Sequence, residues 1–277
     1  MAGQQKTTAT ETHPVLSIVV PVFNEAGHLE EVIEYMMQSP CPIRREWIFV
    51  DDCSSDDSVQ ILRRMQSKHG FRLIEQPRNR GKGSAVTRGI RESNGDFIMI
   101  QDADFEYDPH DVPDLLEPLL GNRADVVFGS RFKKSALQVH RTWHYFANRL
   151  LTILSNAFSG IYLTDMETCY KVFRADLLKA MNLQSTRFGI EVELTAYAAK
   201  TTARVYELPI HYYPRTRLQG KKINWKDGIA ALFHLVRFNF FVSPAAAFHE
   251  LPEFYHSPHR PRRPQPNASM PPPAGTS

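Results

Sequence analysis

Short apolar runs alternate with helical patterns through the first half of the chain. The run 15–21 is rich in β-branched residues and is typical of a buried parallel strand. Apolar residues at Leu29, Val32, Ile33 and Met36 then repeat with helical spacing. The same order recurs, with strands predicted at 46–52, 71–74, 96–101 and 125–130 and helices at 59–65 and 81–93. This alternation predicts an α/β fold built from right-handed βαβ units, with a mainly parallel sheet and helices on both faces.

The second half of the chain has longer helical patterns. We expect helices at 140–158, 188–199 and 225–240 and strands at 170–173 and 204–209. The bulky apolar residues at 143–158 and 229–241 fit either ordinary core packing or a position at a bilayer interface. We predict a disordered N-terminus at 1–13, one folded domain at 14–245 and a disordered Pro-rich tail at 246–277.

Composition narrows the class of protein. The chain of 277 residues is long enough for one large α/β domain, and its net charge of +3 indicates no nucleic-acid partner. Its 3 cysteines are widely spaced and match no metal-ligand pattern, which favours a reduced, cytoplasmic protein. The N-terminus shows no signal peptide, and no apolar run approaches the ~20 residues that span a bilayer. Peripheral attachment to the cytoplasmic face of a membrane is compatible with these features.

Acidic residues follow the apolar strand 96–101. Asp102 and Asp104 are spaced i, i+2, and their oxygens suit a hard cation such as Mg²⁺ or Mn²⁺, which usually shares its coordination with substrate phosphates. The alternative is a turn, because Asp often caps helices and closes Asx-turns. Asp51, Asp52 and Arg131 also come at the ends of predicted strands. Ligands bind beyond the carboxyl ends of parallel strands, so this shared placement favours a ligand site.

Several segments match, in order, the motifs of one enzyme family. They are SIVVPVFNE at 17–25, VDDCSSD at 50–56, GKG at 81–83, QDAD at 101–104 and GSR at 129–131. Together they resemble a family 2 glycosyltransferase with the GT-A fold. Further segments, TDMETCYK at 164–171, RFGIE at 187–191 and YPRT at 213–216, are similar to the branch that contains dolichyl-phosphate mannose synthase and bacterial polyprenyl-phosphate glycosyltransferases.

The resemblance implies a donor site. The residues expected to contact the nucleotide-sugar are Pro21, Val22, Glu25, Asp51, Asp52, Lys82, Asp102, Ala103, Asp104 and Lys222. Asp52, or Asp51 in its place, would accept a hydrogen bond from the base. Asp102, Asp104 and Glu106 would bind Mg²⁺ or Mn²⁺. The simpler alternatives are a helix cap at Asn24 with Glu25 favouring the helix dipole, a strand-end turn at the aspartates and a solvated cation at Lys82.

The resemblance also implies an acceptor site. Its expected residues are Arg131, Arg149, Asp165, Glu191 and Arg215. Arg131, which we also predict to be catalytic with Asp102 and Asp104, and Arg149 would bind the acceptor phosphate, because arginine suits bidentate phosphate recognition. Asp165 would orient sugar or lysine groups, and Glu191 would contact sugar hydroxyls. Arg215 and Lys222 would close over the diphosphate as a lid.

The function implied by the resemblance is inverting transfer of a sugar from a UDP- or GDP-sugar to a polyprenyl or dolichyl phosphate. A membrane surface or a membrane-protein partner would then present the acceptor. Two other hypotheses remain open at this point. One is a soluble family 2 glycosyltransferase acting on a polysaccharide, glycoprotein or small-molecule hydroxyl, which needs a carboxylate base. The other is a non-catalytic nucleotide-binding scaffold.

Overall fold

Seven strands form one sheet in the computed structural model, which describes residues 13–133, 142–214 and 225–256. The strands are β1 (Val15–Val22), β2 (Arg44–Asp51), β3 (Arg72–Glu75), β4 (Phe97–Ile100), β5 (Val126–Ser130), β6 (Lys171–Arg174) and β7 (Val205–Pro209). Their order in the sheet is β3-β2-β1-β4-β6-β5-β7. β1, β2, β3 and β4 run parallel to one another, and β5 runs parallel to β7. The predicted α/β fold with a mainly parallel sheet is confirmed.

Nine α-helices accompany the sheet within the described residues. They are α1 (Leu29–Gln38), α2 (Ser58–His69), α3 (Lys82–Glu92), α4 (Val112–Leu120), α5 (Thr142–Ser159), α6 (Ala175–Ala180), α7 (Ile190–Ala199), α8 (Trp225–Val236) and α9 (Pro244–Ala247). Short 3₁₀ turns occupy Pro109–Asp111 and Glu253–Tyr255, and a π-helix at Arg237–Phe241 continues α8. None of the described helices is both long and apolar enough to cross a bilayer.

The strand β6 runs antiparallel between β4 and β5, which the alternation of strands and helices did not predict. Its first residue, Lys171, lies opposite Ile100 and Phe128, near the carboxyl ends of the two neighbours. The chain therefore re-enters the sheet from the edge at which β4 and β5 end. This reversal places the loop 160–170 beside the residues that follow those strands.

The helix α4 was also missing from the prediction. It buries Val112, Leu115, Leu116 and Leu119, which are spaced as one helical face. Pro118 inside the helix and an acidic surrounding sequence obscure this pattern in the sequence. The proline near its start is tolerated because the first helical N–H groups have no partner within the helix.

The packed chain continues beyond residue 245, the predicted end of the domain. Phe248 forms a β-bridge with Met181, and the Tyr255 hydroxyl donates to Asp176 at 3.0 Å. Tyr255 is 1% exposed, so it belongs to the core. Most of the sequence that we predicted to be disordered, residues 1–12 and 257–277, lies outside the described residues.

Candidate functional site

The loops after β1 and β2 fold against each other at the carboxyl edge of the sheet. The Asp51 carboxylate accepts hydrogen bonds from the Ser54 backbone N–H at 3.0 Å and from its hydroxyl at 2.5 Å. Asn24, which has a φ of 53°, accepts from the Ser55 N–H at 2.8 Å. Asp51 therefore closes a strand-end turn, which is the simpler of the two interpretations of its sequence position.

Asp52 is buried and organises a second loop. Its carboxylate accepts from the Gln76 side chain at 2.7 Å and from the backbone N–H groups of Arg80 and Gly81 at 2.9 and 2.6 Å. A carboxylate can accept about four hydrogen bonds, so these three donors leave capacity for one more. Recognition of the base by Asp52 stays a prediction, and the structure shows that this residue fixes the start of α3.

The other predicted nucleoside contacts lie at the end of β1. Pro21 and Val22 pair with the last residues of β2, and the Val22 carbonyl accepts from the Asp52 N–H at 2.8 Å. Glu25 lies 3.0 Å from the His28 imidazole. These residues therefore border the same loop pair as Asp52, with Glu25 directed to a neighbouring side chain.

A partly buried ion triad joins α3, the loop after β4 and α7. The Lys82 ammonium lies 2.8 Å from an Asp102 oxygen and 2.9 Å from a Glu191 oxygen. Burial alone would lower the pKa of Lys82, but the charges of Asp102 and Glu191 hold this pKa well above its usual value. Lys82 is therefore a cation at neutral pH, and it brings two predicted site residues from distant parts of the sequence together.

The acids after β4 do not form a closed metal cage. Asp104 accepts from the Glu106 backbone N–H at 2.9 Å, and Glu106 accepts from the Tyr212 hydroxyl at 2.9 Å. Across the described part of the chain, no three His, Cys, Asp or Glu residues converge to hold a metal ion. The predicted three-residue ligand set is thus not assembled by the protein alone. Asp102 and Asp104 still fit Mg²⁺ or Mn²⁺, which typically take one or two carboxylates and complete their shell with phosphates and water.

Arg131 is held by the loop that precedes β6. Its guanidinium donates twice to the Asp165 carboxylate, with both distances 2.7 Å, and its backbone N–H donates to the same group at 3.0 Å. The Arg131 side chain is 8% exposed and that of Asp165 is fully buried. Our expectation that Asp165 orients sugar or lysine groups is not what the structure shows, because Asp165 accepts from Arg131 instead. The guanidinium retains N–H groups beyond the two that Asp165 accepts.

Two further residues complete the Arg131 surroundings. Arg149 on α5 donates to the Thr164 carbonyl at 3.3 Å, which places it beside the Asp165 loop. The Tyr212 ring lies under the guanidinium, 5.1 Å from its central carbon. Tyr212 was absent from the predicted site, and it contacts both Glu106 and Arg131. Arg215 and Lys222, predicted to form a lid, lie outside the described residues.

Glu167 is another residue that sequence reasoning missed. Burial, followed by the nearby charge of Glu191, raises the pKa of Glu167 from 4.5 to about 7. Lys171 is fully buried, and its ammonium donates to the carbonyls of Met166 and Thr168. The motif at 164–171 contains this acid two residues after Asp165, but the influence of the Glu191 charge on it is visible only in three dimensions.

We expect the Glu167→Gln substitution to stabilise the protein at pH 8 but not at pH 4. In the unfolded chain Glu167 ionises near its ordinary pKa of 4.5, whereas in the folded protein it resists ionisation until about pH 7. The contribution of Glu167 to the free energy of unfolding of the wild type is therefore lost as pH rises from about 4.5 to about 7. Urea unfolding of both proteins across this range measures the difference, since other titrating groups are common to both. A constant difference between the two proteins would contradict the assignment.

Comparison with known sequences places the chain among characterised proteins. The profile described as glycosyl transferase family 2 matches residues 17–181. A dolichol-phosphate mannosyltransferase from Pyrococcus furiosus is 26% identical over 217 residues, covering 75% of this chain and 60% of the relative. A dodecaprenyl-phosphate galacturonate synthase from Rhizobium johnstonii is 33% identical over 174 residues, covering 61% and 50%. The matched regions thus span 50–60% of the length of these relatives.

Solved structures support the fold. Glucosyl-3-phosphoglycerate synthase from Mycobacterium tuberculosis, in complex with Mn²⁺, UDP and glucosyl-3-phosphoglycerate, superposes with a TM-score of 0.61 at 19% identity. The superposition covers 82% of this chain and 80% of that chain. At this level of identity the likeness shows the fold alone, which is the predicted GT-A fold.

Proposed function

Because the chain belongs to glycosyltransferase family 2, we propose that it transfers a hexose, with inversion, from a UDP- or GDP-sugar to a polyprenyl phosphate in a reaction that requires Mg²⁺ or Mn²⁺. The observation that carries this proposal is the position of Asp102. Its carboxylate follows the central strand β4, stays 23% exposed and is fixed by Lys82 at 2.8 Å. An acid of this kind presents oxygens to a ligand while its own position is set by the fold.

The donor half of the proposal rests on the edge formed by β1, β2 and β4. The loops that end these parallel strands carry Glu25, Asp52 and Asp102 at one side of the sheet. A divalent cation bound by Asp102 and Asp104 would supply Lewis-acid stabilisation of the leaving diphosphate. Lys82 holds Asp102 in place. Its ammonium would also add positive charge beside the leaving diphosphate.

The acceptor half rests on Arg131 and Arg149. A phosphate acceptor is an anionic nucleophile near neutral pH, so its attack on the anomeric carbon needs orientation more than deprotonation. Arg131 is pre-oriented by its bidentate pair with Asp165, and Arg149 stands beside the same loop. Two guanidinium groups would align the phosphate oxygen for one in-line displacement, which inverts the anomeric centre.

An apolar acceptor tail would fit the helices next to these arginines. The exposed side chains Phe146, Leu150 and Ile153 share one side of α5, and the exposed residues of α8 and the π-helix are Ile229, Leu232, Phe233, Val236, Phe240 and Phe241. Phe158 joins the two elements through an edge-on contact with Phe240 at 5.0 Å. We call these exposed residues the apolar face. Exposed apolar surface of this extent is typical of protein or membrane contacts, and here we assign it to a lipid surface.

The position of Arg149 supports that assignment. It lies within the sequence of α5 between Phe146 and Leu150, next to the face, and its guanidinium reaches the Thr164 carbonyl at 3.3 Å. A cation bordering an apolar surface matches a lipid whose phosphate head and hydrocarbon tail are joined. A soluble sugar acceptor would not require this surface.

We predict that the double variant Leu150→Ser/Phe233→Ser binds vesicles at least about tenfold more weakly than the wild type, because each of the two side chains contributes about 1.5–3 kcal/mol when fully buried. Co-sedimentation with phosphatidylcholine vesicles containing a polyprenyl phosphate measures the effect. Tyr206→Ser, which alters an exposed aromatic residue on β7, is the control and should bind as the wild type does. If the double variant binds vesicles as tightly as the wild type, the apolar face does not contact the lipid surface.

The function is tested with the full chain, Mn²⁺ and a panel of UDP- and GDP-sugars. A true donor raises thermal stability by mass action, by about 2.7 kcal/mol at a concentration 100 times its Kd. The stabilising donor, radiolabelled in its sugar, is then incubated with a polyprenyl phosphate. We expect a labelled lipid product that depends on Mn²⁺. Transfer to a sugar hydroxyl instead, with no labelled lipid, would show that the acceptor is not a lipid phosphate.

A further inference from the structure

Both arginines of the proposed acceptor site are held by the same short loop. Arg149 donates to the Thr164 carbonyl at 3.3 Å, and Arg131 donates to the carboxylate of the next residue, Asp165, at 2.7 Å. Thr164 and Asp165 lie between α5 and β6, outside any helix or strand. The hydrogen bonds of regular secondary structure therefore do not fix this loop. The direction of both guanidinium groups depends on the side chains that hold it.

A carboxylate on β7 holds the two loop residues by their backbones. The Oε1 atom of Glu207 accepts from the N–H groups of Thr164 at 2.7 Å and of Asp165 at 3.0 Å. Its Oε2 atom accepts from the Thr164 hydroxyl at 2.9 Å. Backbone N–H groups shielded from water need acceptors, and a charged oxygen accepts more strongly than a neutral one. Glu207 thus supplies this irregular loop with the acceptors that a neighbouring strand supplies within a sheet.

The position of Glu207 in the sheet connects it to the strand that carries Arg131. β7 runs parallel to β5, with Glu207 opposite Phe128, and Arg131 directly follows the last residue of β5. The Glu207 side chain is 6% exposed, and the Lys133 ammonium lies 3.2 Å from its Oε2 atom. Burial and these contacts restrict the carboxylate to one place. The rigid sheet is thereby fastened to the loop that holds both arginines.

We propose that Glu207 is a positioning residue for the acceptor phosphate, because it fixes the 164–165 loop and the loop in turn aims Arg131 and Arg149. This inference rests on the proposed function, since it takes the two guanidinium groups to bind a lipid phosphate. Without the Glu207 contacts the guanidinium groups are free to shift. A misplacement of about 1 Å can lower a rate by about 100-fold.

Steady-state kinetics of the full chain with Mn²⁺, the stabilising donor and a polyprenyl phosphate tests the inference. We expect Glu207→Ala to lower kcat/KM for the lipid phosphate by about 100-fold. The Kd of the donor, measured by calorimetry, should stay at the wild-type value, because no contact of Glu207 within the described residues reaches Asp102 or Lys82. Glu207→Gln keeps an oxygen for both N–H groups and should lose only about tenfold.

Glu46 provides matched controls near the amino ends of β1 and β2. Its carboxylate also accepts from a backbone N–H, that of Asn94 at 2.8 Å, and from a hydroxyl, that of Ser17. Glu46→Ala and Glu46→Gln are expected to lose stability and keep the wild-type kcat/KM for the acceptor, which separates positioning from folding.

The possible outcomes separate this inference from the proposed function. A wild-type kcat/KM in Glu207→Gln and Glu207→Ala, or a donor Kd that weakens in step with kcat/KM for the acceptor, would overturn the role of Glu207 while transfer by the wild type upheld the function. If Glu207→Ala does not fold, the result for Glu207→Gln decides. A wild type that transfers no sugar to a polyprenyl phosphate would overturn the proposed function, and the acceptor role of Glu207 with it.

Discussion

Replacing Asp102 or Asp104 with Asn is expected to lower kcat/KM for sugar transfer by about 1000-fold, which corresponds to the several kcal/mol that a bound metal contributes to charge stabilisation. An Asn retains the size of the side chain and removes its negative charge. The loss should therefore appear in the reaction and in the Mn²⁺ concentration needed for half-maximal rate. Steady-state kinetics at graded Mn²⁺ concentrations measures both.

The two substitutions should differ in their effect on stability. Asp102 neutralises Lys82, so Asp102→Asn leaves the ammonium with Glu191 as its remaining carboxylate partner in the triad. Asp104 accepts from the Glu106 backbone, a contact that an Asn oxygen preserves. Asp114→Asn, which changes an exposed acid in the first turn of α4, is the control and should leave kcat/KM near the wild-type value. Full activity in Asp104→Asn would exclude the metal role of this acid pair.

Arg131→Met is expected to destabilise the fold by about 3–5 kcal/mol, because removing one partner of a buried ion pair leaves the other charge uncompensated. The Asp165 side chain is fully buried, and its carboxylate accepts three hydrogen bonds from Arg131. Urea unfolding measures the loss. The double variant Arg131→Met/Asp165→Leu should recover much of it, since no charge is then stranded.

The surface pair of Arg63 and Glu75 provides the comparison. The distance between their charged groups is also 2.7 Å, but the Arg63 side chain is 63% exposed. We expect Arg63→Met to change stability by at most about 1 kcal/mol. A similar loss in both arginine variants would mean that burial of the Arg131 pair does not determine its energetic role. The double variant should remain inactive with a polyprenyl phosphate, because restoring stability does not restore a phosphate-binding guanidinium.

Particular elements show how far the sequence could be interpreted. β1 and β4 were found because each is a mainly apolar run bounded by polar residues, a signal that needs no tertiary context. The direction of β6 was missed because the four residues Lys171–Arg174 indicate a strand but do not indicate whether it runs parallel or antiparallel to its neighbours. Register and direction depend on pairing with β4 and β5, which are distant in sequence.

In the candidate site, too, local patterns were predicted from the sequence and long-range contacts were not. Asp102 and Asp104 were identified from the sequence because an acid pair directly after a buried strand is a local pattern. The partners of the site residues were not, because Lys82 with Glu191 and Arg131 with Asp165 join segments far apart along the chain. Asp165 was assigned to a ligand, and only its burial and its distance to Arg131 reveal that it serves the protein.

The sequence by itself determined the α/β class, the positions of most strands and helices, the family and the acids at the end of β4, because each is encoded in local periodicity or short motifs. The tertiary structure alone decided which charges are paired, which side chain holds a distant loop and which apolar side chains stay exposed. These properties depend on what lies within a few ångströms of an atom. Burial and the local dielectric set their energies, and neither is a property of any one segment.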